Sequence, residues 1–99
     1  MYIVHDIVNC RPGKVGEMIK RFKALSIVRE RLGFKKYRLA TDIGGGRYWT
    51  VVAETEVESL DQFFELEHKV MAEEEAREAM AGYHECIVEG RREMFKVVE

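Results

Sequence analysis

The sequence predicts an α+β fold: a four-stranded antiparallel sheet with helices on one face, in the order β-α-β-β-α-β. Three observations lead there. Val15, Met18, Ile19, Phe22, Leu25, Val28 and Leu32 recur at helical spacing on one stripe. Gly44-Gly45-Gly46 separates two strand-like runs, "KKYRLATDI" and "RYWTVVAETEV", as a hairpin turn would. Further strand-like runs, "MYIVHDIVNC" and "REMFKVV", stand near the two ends of the chain.

Each element has its own signals. Residues 1–10 form the first strand. Pro12 suits a first helical turn, and Gly33 stands where a helix C-terminal glycine belongs, with Phe34 for the accompanying apolar contact. Lys14, Lys20, Arg21, Lys23, Arg29 and Arg31 fall mostly on the remaining surface of that helix. Residues 35–43 and 47–57 make the hairpin. Ser59-x-x-Gln62 is a capping-box pattern that opens a second helix, with Leu60, Phe63 and Phe64 as its first apolar contacts. Ala76, Met80, Tyr83 and Ile87 continue a helical stripe, while Glu73-Glu74-Glu75 and Gly82 predict breaks in it. Gly90 ends the helical region and the last strand follows. The order is the ferredoxin-like arrangement, one domain over residues 1–99 without linker or repeat.

Composition excludes several classes. At 46% hydrophobic and 34% charged residues the chain has the makeup of a folded domain. No apolar run approaches the ~20 residues a bilayer span needs, and no signal peptide is visible. Cys10 and Cys86 fit no metal-ligand or redox spacing, so a reduced, cytoplasmic protein is expected. Charge is split: residues 1–50 carry eleven Lys/Arg and four Asp/Glu, and residues 51–99 carry five and fourteen. A basic helix beside an acidic one accounts for this. Nucleic acid is not an expected partner, because no aromatic-rich strand motif accompanies the basic helix and the acidic half would oppose a polyanion.

The strands do not alternate cleanly. Tyr2, Val4 and Val8 oppose Ile3 and Ile7, and Trp49, Val51 and Ala53 oppose Tyr48, Thr50 and Val52. Both faces of the central strands therefore call for burial, and one chain can cover only one of them. A homodimer joined through the open sheet face is expected.

The run "RPGKVGEMIKRF", the Gly33-Phe34 break, "YWTVVAETEVESLDQFF" and "EGRREMFKVV" resemble the dimeric α/β-barrel superfamily, above all NIPSNAP-like and antibiotic-biosynthesis monooxygenase domains. The resemblance spans nearly the whole chain. It implies a dimeric barrel and a pocket between sheet and helices. Relatives it implies include cofactor-independent quinone-forming monooxygenases, haem-degrading enzymes, isomerases and ligand-binding modules. A cofactor-independent monooxygenase is the function expected, with a non-catalytic homodimeric small-molecule-binding or protein-interaction module as the alternative. Haem-degrading relatives use an Asn on the first strand and a Trp and a His on the second helix. Here Asp6 stands nearest the first position, with Asn9 further along, and Phe63 and Phe64 stand where the Trp would be. This departure argues against haem degradation.

Candidate chemistry narrows to a few residues. His5 and Asp6 are neighbours on a strand and point to opposite faces, so they are not a dyad. His5 is either a general base or a core histidine with satisfied nitrogens. Asp6 either meets a basic partner or lines a wet cavity that binds substrate. His68 is the other candidate base. Its Glu65-x-x-His68 spacing stands alone in a chain too short for a four-helix metal bundle, and no metal is expected. His84, Glu85 and Cys86 diverge around a helix and make no ligand cluster. An oxygenase acting on a small aromatic or quinol-like compound needs a base, a hydrogen-bond donor for developing charge and an apolar wall. His5 or His68 would be the base, Asn9 or Tyr37 the donor, and Trp49 the packing surface, with no cofactor.

Overall fold

A computed structural model describes residues 1–99. β1 (Tyr2–Cys10) leads to α1 (Val15–Arg31), then β2 (Arg38–Thr41), β3 (Thr50–Val57), α2 (Leu60–Met71), α3 (Glu74–Ala79), the single turn α4 (Tyr83–Cys86) and β4 (Ile87–Lys96). The strands run antiparallel in the order β2-β3-β1-β4, which is the ferredoxin-like sheet. β1 is central, opposite Thr50–Val57 on one side and Ile87–Lys96 on the other.

Pleating divides the sheet into two chemically different faces. Val4 and Val8 share the helix face with Val51, Ala53 and Val57, and all five are buried against Met18, Phe22, Leu25, Val28, Phe63 and Val70 of the helices. The other face carries Ile3, His5, Ile7 and Asn9 of β1 beside Thr50, Val52, Glu54 and Glu56 of β3. The helices pack as the stripes predict. Ser59 caps α2, its hydroxyl accepting a hydrogen bond from the Gln62 backbone N–H at 3.1 Å. Gly33 adopts φ +117°, a left-handed conformation that ends the first helical region with little steric cost. Arg31 of α1 meets Glu75 of α3 at 2.7 Å and Glu73 at 3.7 Å, so the basic helix does lie beside acidic residues.

Four boundaries differ from expectation. Pro12 lies in the turn before α1 rather than inside it, because the helix begins only at Val15, after the left-handed Gly13. The hairpin strands are shorter than 35–43 and 47–57, and Trp49 precedes β3 with φ +62° instead of sharing a strand face with Val51. The second helical region is three pieces, broken near Glu73 and Gly82 as the sequence predicts. Ile87 belongs to a strand, not to the helical stripe, and Gly90 lies within β4 rather than before it. A Cβ at Gly90 would approach Ile87 Cδ1 to 3.2 Å and Tyr83 Oη to 3.3 Å, so the glycine lets α4 sit tightly over the strand.

Candidate functional site

The site grows from the helix-facing row of the sheet. Asp6 of β1 stands opposite Arg92 of β4. The guanidinium donates from Nε to Asp6 Oδ1 at 2.6 Å and from Nη2 to Oδ2 at 3.4 Å. From α2, Glu67 reaches the same arginine: Nη1 donates to Oε1 at 3.0 Å and Nη2 to Oε2 at 2.6 Å. One cation thus bridges two carboxylates from separate elements. Burial opposes the charged form of Arg92, but its hydrogen bonds to Glu67 and Asp6 outweigh that and hold its pKa above the usual value.

A second arginine lies across the cavity wall. Arg29 of α1 is 3% exposed, and its guanidinium sits 3.8 Å from the Phe34 ring centroid and 4.0 Å from that of Tyr37. Nη2 donates to the buried Thr55 hydroxyl at 2.8 Å, and Nε has no hydrogen-bond partner. No carboxylate stands within ion-pair distance of it. Burial lowers the Arg29 pKa below its ordinary value, a measure of how poorly water compensates this charge. The Tyr37 phenol is pushed by burial up to about 12, against the opposing pull of Arg29, so it stays protonated and able to donate.

Between these groups lies a cavity of about 590 Å³, of a size that suits a small organic ligand. Phe22, Leu25, Val70 and Met80 give it apolar walls, while Asp6, Arg29, Tyr37, Glu67, Tyr83 and Arg92 converge on it. His84, packed edge-on against Tyr83 with ring centroids 5.3 Å apart, also lines it.

The six candidates from the sequence do not gather in one place. Asp6 and Tyr37 line this cavity together. His5 and Asn9 are on the opposite sheet face, as pleating requires. His5 Nε2 pairs with Glu54 Oε1 at 2.8 Å, and Asn9 Nδ2 donates to Thr50 Oγ1 at 2.9 Å. His68 is exposed on α2. Trp49 lines a separate hollow of about 460 Å³ with Val15, Thr41, Asp42 and Tyr48. A site combining His5 or His68 with Tyr37 and Trp49 is therefore not formed within one chain. The basic partner of Asp6 is Arg92 of the same chain.

Arg29, Glu67, Tyr83, His84 and Arg92 were not anticipated. Arg29 had a legible signal: it follows Phe22 by seven residues and Leu25 by four, so it falls on the apolar stripe rather than the outer surface. Glu67 likewise follows Phe63 by four. Arg92 had none, since its partner lies 86 residues away in sequence.

Fold and cavity together define a ferredoxin-like α+β protein with a chamber between sheet and helices. Its structural neighbours are NIPSNAP domain proteins and antibiotic biosynthesis monooxygenase-like proteins. An uncharacterized NIPSNAP domain protein from Burkholderia xenovorans matches with a TM-score of 0.84 at 12% identity, covering 99% of this chain and 95% of that one. A NIPSNAP family protein from Agrobacterium tumefaciens gives 0.77 at 22%, covering 100% and 95%. An antibiotic biosynthesis monooxygenase gives 0.73 at 13%, covering all of both chains. At these identities the likeness is one of fold. No protein-family profile matches the chain, and no curated protein does.

Proposed function

We propose that the helix-side cavity binds a small aromatic, quinol-like compound and that the chain acts on it as a cofactor-independent monooxygenase. The observation that carries this reading is the cavity itself: apolar walls, a phenol held protonated and a histidine at one place. In such chemistry a phenol with a free para position loses its proton, and the anion then gives an electron to dioxygen. Recombination at the para carbon and loss of water leave a quinone, so phenol plus O₂ yields quinone plus H₂O. His84 is the histidine of this cavity and takes the proton, while Tyr37 donates to the developing phenolate oxygen. The neighbours named as monooxygenases support the enzyme reading over a passive binder.

Oxygen uptake with a panel of phenols and hydroquinones tests it. Turnover should fall by about 10²-fold or more in His84→Ala while ligand binding persists, the usual weight of a general base. Binding without oxygen consumption by any compound would leave a non-catalytic small-molecule module in its place.

The second part of the proposal is a homodimer joined through the open sheet face. Ile3, Val52 and Phe95 present apolar surface there, and Phe95 is 47% exposed. Asn9 is buried on the same face, yet its Oδ1 lacks a partner. Sedimentation equilibrium should give twice the chain mass, and Phe95→Glu should shift it toward one. A single-chain mass for the unsubstituted protein at all concentrations would overturn this part. No helix is long and apolar enough to cross a membrane. The free thiols of Cys10 and Cys86 suit the reducing cytoplasm, where we place the protein.

A further inference from the structure

Three arginines, Arg29, Arg91 and Arg92, line the cavity, and all but Arg29 meet a carboxylate directly, Arg91 pairing with Glu93 at 3.2 Å. Arg92 is saturated by Asp6 and Glu67, whereas Arg29 makes no ion pair. Its two faces are covered by Phe34 and Tyr37, so only its edges can take a further hydrogen bond. Thr55 accepts one N–H and leaves the rest of that donor set unused, Nε among it. A guanidinium taken out of water without a counter-ion is costly, and an in-plane pair of N–H groups fits a carboxylate with both oxygens engaged. The Asp6 and Glu67 carboxylates cannot fill that role, since both are turned to Arg92.

We infer that Arg29 is the anchor for an acidic group on the ligand, so that the cavity takes a small hydroxy-aromatic carboxylate rather than a neutral phenol. The inference rests on the reading of this cavity as the ligand site. The carboxylate meets the edge of Arg29 between the Phe34 and Tyr37 rings, and the aromatic body lies along Phe22, Leu25 and Val70.

Calorimetric titration of the full chain tests this with two probes of one shape, 3-hydroxybenzoate and 3-hydroxybenzamide, and with phenol as the unsubstituted parent, at neutral pH, where the benzoate is ionised. A charge-assisted pair in this setting should make the benzoate bind about tenfold to a hundredfold more tightly than the amide. Arg29→Met should bring that ratio close to one while phenol binding is retained. Because Arg29 is buried, the ligand comparison in the unsubstituted chain is decisive even if the variant fails to fold. Equal binding of benzoate and amide would overturn the inference and leave the cavity reading in place. Binding of none of the three would remove both.

Discussion

Phe63→Ala is expected to lower the unfolding free energy by about 3–5 kcal/mol, the cost of emptying a fully packed aromatic site. Phe63 is 0% exposed, with Phe34 edge-on at 5.7 Å, Phe64 at 5.4 Å and the Arg92 guanidinium 5.1 Å from its ring centroid. It is thus the piece of core on which α2 and the charged wall of the cavity both rest. For a domain of this size such a loss is a drop of roughly 12 °C or more in Tm, and a large share of the ~5–15 kcal/mol that keeps such domains folded. Phe64 is the internal control. It is next in sequence and of the same type but 50% exposed, so Phe64→Ala should cost about 1 kcal/mol or less. Urea unfolding of both variants at one protein concentration gives the comparison; equal losses would contradict the inward face assigned to α2.

Arg92→Met is expected to cost about 2 kcal/mol for a different reason. Removing the cation leaves Asp6 and Glu67 facing each other across a partly buried wall. Breaking a fully buried pair costs about 3–5 kcal/mol, but the three side chains retain 34%, 19% and 27% exposure, so water recovers part of that. The signature is rescue. Asp6→Asn with Glu67→Gln in the Arg92→Met background should restore most of the lost stability, because the penalty is the stranded charge rather than lost packing. If the triple variant is no more stable than Arg92→Met alone, the network is not an electrostatic unit.

Much of the framework that positions the cavity was legible in the sequence. The stripe from Val15 to Leu32, the Ser59 cap, the glycine-rich turn and the opposite orientation of His5 and Asp6 all follow from local periodicity and backbone conformation. Charge is a poor sign of exposure in this chain. Arg29 was assigned to the solvated side of α1 although its spacing puts it on the buried stripe, and a guanidinium can be buried when aromatic rings cover its faces and a hydroxyl takes one of its donors. Trp49 looked like a strand residue because aromatic neighbours favour strands, but its left-handed backbone puts it outside the ladder.

The sequence by itself determined the order of elements, the handoff between helical and strand periodicity and the apolar stripe of the long helix, since these depend on residues within a turn or two of one another. Only the tertiary structure decided that Asp6, Glu67 and Arg92 form one network and that Arg29 stands apart from it without a counter-ion. Those facts depend on strand register and helix docking over separations of up to 86 residues, and local propensity carries no information about which distant side chains a fold brings within 3 Å.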